Sequence, residues 1–147
     1  MTKHEFVQQA YAAASLSSKH SGMPAMVTVA QAALESNWGQ SKLSREANNY
    51  FGIKAHGSHQ RIQMCTDECE HGADVEVKAE FAKYLSMLDC FQCRDGILLR
   101  AAVYKGAVEK RCDEAAFIAE IAKHWATDPK YAGKLLAVLN EVKGIVK

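Results

Sequence analysis

The sequence predicts a mainly helical domain with one small β-hairpin lobe near its middle. Three observations support this fold class: apolar residues at three- and four-residue spacing along most of the chain, one stretch of strict alternation, and a length of 147 residues. A chain of this length is near the usual size of one domain and can bury one hydrophobic core. We therefore expect residues 1–147 to form a single folded unit.

Helical periodicity is clear in the first part of the chain. Phe6, Val7, Ala10 and Ala14 lie on one face of a helix predicted over 2–19, which the Ser-Gly pair at 21–22 ends. Pro24 suits the first turn of a second helix, which continues until Gly39. A short helix is predicted over 41–47. This assignment puts Glu35 in the last turn of a largely apolar helix.

The period changes between residues 57 and 81. Apolar residues alternate there with charged ones, as in a strand with one buried face: Val75, Val77, Ala79 and Phe81. Residues 61–65 are the expected antiparallel partner, with the turn near 71–72. Helices are then predicted over 86–104, from the capping Asp113 to residue 124, and from the Asp-Pro pair at 128–129 to residue 142.

The overall charge gives no indication of a polyanionic partner. Lys and Arg total 18 against 17 Asp and Glu, so we expect neither nucleic-acid binding nor attraction to an anionic membrane. No apolar run is long enough to span a bilayer, and the N-terminus opens polar rather than as a Sec signal. Function is therefore expected from a local site.

Glu35 is the leading candidate for chemistry. Hydrolysis of a glycosidic bond needs a carboxylic acid that stays protonated near neutral pH, and an apolar wall raises a carboxyl pKa by desolvation. Ala33, Leu34 and Trp38 adjoin Glu35 in sequence. The alternative from the residue alone is an ordinary solvated glutamate at a helix end.

Three separated segments give this candidate a context. They are 31–41 (Gln-Ala-Ala-Leu-Glu-Ser-Asn-Trp-Gly-Gln-Ser), 49–54 (Asn-Tyr-Phe-Gly-Ile-Lys) and 125–132 (Trp-Ala-Thr-Asp-Pro-Lys-Tyr-Ala). Together they resemble the glucosaminidase family of flagellar rod proteins and bacterial autolysins. The hairpin segment 66–72, the stretch 77–81 and Tyr84 are also similar to that family.

The resemblance implies a lysozyme-like fold, a glycan cleft between the helical core and the hairpin, and no cofactor. It implies hydrolysis of the β-1,4 bond after N-acetylglucosamine in peptidoglycan, with Glu35 as general acid. Glu68 matches by position the family's second acidic residue, as a base or electrostatic stabiliser. The substrate's own acetamido group is an alternative to Glu68, because substrate-assisted routes exist among glycosidases.

Aromatic rings and an amide are the candidates for sugar binding, since flat apolar rings pack on pyranose faces. The candidate residues are Trp38, Asn49, Tyr50, Phe51, Tyr84, Trp125 and Tyr131. Core packing is the alternative for Trp38 and Phe51. Trp125 stands where the family usually has a tyrosine whose hydroxyl is thought to act at the catalytic centre. Either Tyr131 supplies that hydroxyl or the protein functions without it.

The cysteines depart from the family pattern. Four of the five cluster in sequence, as Cys65, Cys69, Cys90 and Cys93. We expect disulfides between hairpin and helix, because a wall hydrolase acts outside the reducing cytoplasm. A zinc site is the alternative, since C-x3-C followed by C-x2-C resembles metal-ligand spacing.

The expected biological role follows from the expectation that the catalytic unit carries no Sec signal. Such a hydrolase would be made in the bacterial cytoplasm and would act on glycan strands in the periplasm or wall. An exported antibacterial toxin, countered by a periplasmic immunity protein inserted into the cleft, is one expectation. A phage lysis enzyme, a non-catalytic wall-binding module and an enzyme acting on chitin are the alternatives.

Overall fold

The structure is a computed structural model that describes residues 1–70 and 73–147; the side chains of 66–70 and 73–77 lie outside the description. The described elements are seven α-helices, a short 3-10 turn at Ala102–Tyr104 and two strands. In chain order they are α1 (Lys3–Ser21), α2 (Ala25–Ser36), α3 (Lys42–Ala47), β1 (Gln60–Glu70), β2 (Ala73–Lys83), α4 (Met87–Arg100), α5 (Lys105–Glu109), α6 (Glu114–Trp125) and α7 (Tyr131–Val146). The mainly helical fold class with one hairpin is confirmed.

Local capping chemistry sets the ends of the helices. Thr2 and Glu5 form a reciprocal capping box at the start of α1, and Gly22 ends that helix with φ of 70°. Asp113 caps α6 by accepting a hydrogen bond from the Ala116 amide, as the sequence predicts. These boundaries are set by one or two residues at each helix end, which explains why they can be predicted.

Two helix boundaries in the last third of the chain differ from the prediction. The helix predicted over 86–104 ends at Arg100, and α5 was not predicted. The last helix begins at Tyr131 rather than at the Asp-Pro pair, because Asp128 accepts a hydrogen bond from the Lys130 amide and closes a turn first. This turn delivers Tyr131 at the first position of α7.

The strands form one antiparallel hairpin that is longer than predicted. Within it Gln60 pairs with Lys83 and Ile62 with Phe81. Phe81 and Ala82 are buried, whereas Lys78 and Glu80 are exposed. The predicted turn at 71–72 lies outside the described residues. The hairpin joins the helical part through backbone bonds, including the Ala82 amide to the Ile53 carbonyl.

Helix α2 lies at the centre of the core. Residues 27–33 are all buried, and α2 packs against α1 on one side and α7 on the other. A helix that is apolar on most sides must be surrounded by other elements. Its last turn emerges at the surface, so Glu35 stands on a rigid, well-packed support. No helix among the described residues is long and apolar enough to cross a bilayer.

Candidate active site

Glu35 lies in the last turn of α2, immediately before a sharp change of chain direction. Asn37, Trp38 and Gly39 follow with φ of 50°, 57° and 77°. A Cβ at Gly39 would come within 2.9 Å of the Phe6 ring, so glycine is required there. The Ser36 hydroxyl accepts a hydrogen bond from the Gly39 amide and holds the turn. Glu35 is thereby presented to solvent at the end of a buried helix.

Glu35 lines a surface cleft with a volume of about 400 Å³. The other residues of its wall are mostly apolar and come from three separate parts of the chain: Phe51, Gly52, Ile53, Ile97, Tyr104, Trp125 and Ala126. A concave, mainly apolar wall around one carboxyl group is typical of a ligand site. The volume is in the range of small-molecule pockets.

The environment of Glu35 acts on its pKa in two opposite directions. Although the residue is exposed to the cleft, desolvation of the carboxyl group raises the pKa above its ordinary value. A hydrogen bond from the Tyr131 hydroxyl to Glu35 Oε1, 2.9 Å long, partly opposes that rise. The net shift is upward, which favours the protonated form needed by a general acid.

Tyr131 is the hydroxyl beside the candidate acid. It is buried, and its oxygen also accepts a 3.2 Å hydrogen bond from Gln31 Nε2. Burial and the nearby charge of Glu35 raise the pKa of Tyr131, so the phenol keeps its proton. Of the two sequence-based alternatives, the geometry matches the one in which Tyr131 supplies the hydroxyl.

Trp125 forms part of the apolar wall. Its indole is half-buried and meets the Phe51 ring edge-on, with centroids 6.2 Å apart. It also lies tilted against Tyr104 at 6.1 Å. Three aromatic rings thus line one side of the cleft, two of them predicted. Tyr104 was missed, because it follows the unpredicted break after α4 and belongs to no recognisable motif.

Asn49 is buried and supports the loop at 49–53 instead of facing a sugar. Its Nδ2 donates to the carbonyls of Ile53 and Ala82, both at 2.9 Å. Its Oδ1 accepts the amides of Phe51, Gly52 and Ile53. Both ends of the side chain are occupied, so the predicted contact with an N-acetyl group gains no support. Asn49 instead shapes the loop that carries Phe51 and Ile53 to the cleft.

Trp38 and Tyr50 also pack in the core. Trp38 lies edge-on to Phe6, with Lys3 Nζ 4.6 Å above its ring, and Tyr50 packs between Phe6 and Phe91. Both are less than a tenth exposed. The packing alternative therefore describes Trp38, whereas Phe51 is both buried and part of the cleft wall. For Tyr50 the sugar contact gains no support.

Tyr84 is half-buried at the end of the hairpin. Its hydroxyl donates to Cys93 Sγ at 3.1 Å, and its ring meets His59 edge-on. It is not among the residues that line the cleft with Glu35. The second predicted carboxylate, Glu68, has its side chain outside the described residues; its backbone pairs with Val75. The role of Glu68 stays a prediction.

The predicted disulfides are not supported. The described residues contain no disulfide bond. Cys90 is fully buried, and its Sγ accepts a hydrogen bond from the Tyr50 amide. Cys93 Sγ accepts a hydrogen bond from the Tyr84 hydroxyl, and Cys65 is exposed on β1. The side chain of Cys69 lies outside the description. Within the described part of the chain, no three His, Cys, Asp or Glu side chains cluster as metal ligands.

Comparison with known proteins identifies the same kind of domain. The family model "Glucosaminidase: Mannosyl-glycoprotein endo-beta-N-acetylglucosaminidase" matches residues 11–144. Peptidoglycan hydrolase FlgJ of Escherichia coli (strain K12) is 36% identical over 146 residues, which cover 95% of this chain and 47% of that protein. The chain thus spans about half the length of the curated relatives it matches.

Solved structures share the fold. A C-terminally truncated glycoside hydrolase domain from Salmonella typhimurium FlgJ superposes with a TM-score of 0.80 at 33% identity, covering 97% of this chain and 99% of that one. A type VI secretion system effector-immunity complex from Pseudomonas protegens superposes with a TM-score of 0.68 at 20% identity, covering 97% and 92%. The second likeness concerns the fold alone.

Proposed function

Because the chain belongs to the glucosaminidase family of glycoside hydrolase domains, we propose that it hydrolyses the β-1,4 bond after N-acetylglucosamine in peptidoglycan. The observation that carries the proposal is the pairing of Glu35 with Tyr131 in an aromatic-lined cleft. Burial in the cleft favours the protonated acid, and Tyr131 holds the carboxyl in place at the edge of a site that sugar rings can enter.

In the proposed reaction, Glu35 donates its proton to the departing glycosidic oxygen. The oxocarbenium-like centre then needs stabilisation and water. We assign that task to the Glu68 carboxylate on the hairpin, with the acetamido group of the substrate as the alternative. The half-buried Trp125 ring stacks on the pyranose, while the buried Phe51 and Tyr104 rings support it and help to exclude water from the proton to be transferred.

The test is digestion of purified peptidoglycan followed by mass spectrometry of the soluble fragments. Fragments ending in reducing N-acetylglucosamine support the proposed bond; fragments ending in the other wall sugar contradict it. Glu35→Gln is expected to lower release by at least about a hundredfold, the scale of a lost general acid. Glu46→Gln, at an exposed carboxylate on α3, is the matched control and keeps its activity.

A wall-binding module without turnover is the alternative outcome. In that case the unmodified chain sediments with peptidoglycan but releases no fragments, and Glu35→Gln binds equally well. Release of fragments from chitin but not from peptidoglycan would leave the acid assignment intact and change the substrate. Glu68→Gln separates the two routes for the second step, because unchanged activity there favours the acetamido group.

We further propose that the domain acts on the wall of a competing bacterium and is neutralised by an inhibitor inserted into the cleft over Glu35. The motivation is the fold shared with the Pseudomonas protegens complex, together with a concave site that offers an inhibitor an anchor pocket. Lysis on periplasmic targeting, and rescue by a co-expressed exported protein from the adjacent gene, are the expected results. A neighbouring membrane-hole gene without such a protein would favour the phage alternative.

A further inference from the structure

A chain of buried hydrogen bonds leads from Glu35 into the core. Tyr131 donates to Glu35 Oε1 and accepts from Gln31 Nε2, while Gln31 Oε1 accepts from Arg94 Nε at 3.0 Å. Gln31, Arg94 and Tyr131 are all buried. Gln31 lies four residues before Glu35, so both occupy one side of α2. The chain joins three helices, with two of its residues on α2 and one each on α4 and α7.

The direction of every bond in this chain is fixed by Arg94. A guanidinium group can only donate, so the atom of Gln31 that faces it must be the carbonyl oxygen. The amide nitrogen of Gln31 is then turned to Tyr131, and it too can only donate. The phenolic oxygen is thereby used as acceptor on that side, which leaves its proton directed at Glu35 Oε1.

Arg94 itself is held rigidly. Its Nη1 donates to Thr28 Oγ1 at 2.9 Å and to Asp95 Oδ1 at 2.8 Å. The guanidinium also lies 5.6 Å from the centroid of the Phe51 ring, which lines the cleft. Among the described residues, Arg94 Nη2 is buried without a hydrogen-bond partner. Burial of a charged side chain is costly to folding even when the charge is paired, which fits a task beyond stability.

We propose that Gln31, locked in orientation by Arg94, is a positioning residue that makes Tyr131 donate to Glu35 Oε1 and leaves Oε2 to carry the transferable proton. This inference rests on the proposed role of Glu35 as general acid. Within the described residues, Tyr131 from α7 bonds directly to the carboxyl, Tyr104 shares its cleft wall, and Arg94 from α4 is linked to it through Gln31 and Tyr131. Neither Gln31 nor Arg94 touches the cleft.

The test measures how Tyr131→Phe changes the titration of Glu35 in different backgrounds. The readout is the carboxyl carbon chemical shift of Glu35, followed by NMR against pH in the full chain, which needs no activity. In the unmodified chain Tyr131→Phe is expected to raise the midpoint, since a bond to the charged form is lost. In a Gln31→Met background the same substitution should change the midpoint little, because the hydroxyl is already free to turn away.

A second background protects the test from misfolding. Gln31→Glu keeps an acceptor for Arg94 but offers Tyr131 an acceptor as well, so the phenol donates to residue 31 and Tyr131→Phe again has little effect on Glu35. Thr28→Val removes another contact of Arg94 and is the matched control; there Tyr131→Phe must raise the midpoint as in the unmodified chain. An equal rise in all four backgrounds, or no rise in the unmodified chain, overturns the proposal.

The activity profile gives an independent readout. The alkaline limb of kcat/KM is expected to move to higher pH in Gln31→Met and to stay in place in Thr28→Val. If the unmodified chain releases no glycan while the NMR coupling is present, the proposed reaction fails and the positioning of the carboxyl stands. If the chain releases glycan but the NMR coupling is absent, the proposed reaction stands and the positioning role of Gln31 fails. The two failures are therefore distinguishable.

Discussion

Glu35 shows how one side chain can carry two opposing influences that are both useful. Desolvation raises its pKa and so favours the protonated acid, while the Tyr131 bond lowers the pKa and fixes the carboxyl in place. Sequence alone predicts an apolar environment for Glu35 but not the residues that form it, because Trp38 packs on Phe6 and the cleft wall comes from parts of the chain distant in sequence. The sequence leaves open whether Tyr131 supplies a hydroxyl to the site or the protein functions without one. Only the packing of α2 against α7 favours Tyr131.

The first prediction concerns the pH dependence of hydrolysis. A general acid is competent while protonated, so turnover should fall as pH rises through the Glu35 pKa. Burial raises that pKa and therefore moves this alkaline limb of the pH profile upward. Tyr131→Phe removes a bond that favours the charged form and should shift the limb to still higher pH. Initial rates on soluble glycan across pH give the measurement. A downward shift in Tyr131→Phe would contradict the argument.

The second prediction concerns the thiols. Burial raises the pKa of Cys90 to about 12, so this thiol should resist alkylation in the folded protein. Cys112 is exposed and should react readily. Peptide mapping after iodoacetamide treatment, with and without denaturant, measures both. Recovery of Cys90 as a cystine in oxidised protein would reinstate the disulfide prediction.

Elements whose ends are marked by a single residue could be predicted, whereas those ended by packing could not. Thr2, Gly22 and Asp113 fix helix ends through local hydrogen bonds or backbone conformation. No glycine or proline marks the end of α4 at Arg100, where the chain turns to bring Tyr104 to the cleft. Asn49 could not be assigned from its motif, because its side chain is engaged entirely with backbone groups of the loop at 49–53 and of Ala82 on β2.

The third prediction tests Asn49 as the organiser of loop 49–53. Asn49→Ala leaves buried amides and carbonyls unpaired, so the free energy of unfolding should fall by about 2–4 kcal/mol. Activity should fall too, because Phe51 and Ile53 line the cleft. Urea denaturation measures the first effect and glycan release the second. Asn140→Ala, at an exposed position of α7, is the control and should change neither.

At the scale of the whole molecule, one buried ion pair joins the core to the site. Asp95 accepts hydrogen bonds from Ser17 and Ser21 of α1 and pairs with Arg94, which reaches Gln31 of α2. Sequence periodicity places Arg94 and Asp95 within a helix but does not predict that both are buried. Such a pair becomes visible only when three helices are assembled. The same pair supports the packing and orients the Tyr131 bond.

The fourth prediction separates these two tasks. Asp95→Ala leaves the Arg94 charge buried and uncompensated, so the free energy of unfolding should fall by about 3–5 kcal/mol. Glu141→Gln breaks an exposed pair with Lys3 and should change it little. Adding Arg94→Met to Asp95→Ala removes the uncompensated charge and should recover stability in urea denaturation.

The orientation of Gln31 is not recovered by that second substitution, because methionine offers its amide no donor. The double variant should therefore regain stability relative to Asp95→Ala, while the alkaline limb of its activity should lie at higher pH than in the unmodified chain. If stability recovers and the alkaline limb lies where it does in the unmodified chain, Arg94 acts through packing alone. If the double variant is no more stable than Asp95→Ala, the destabilisation has a source other than the unpaired charge.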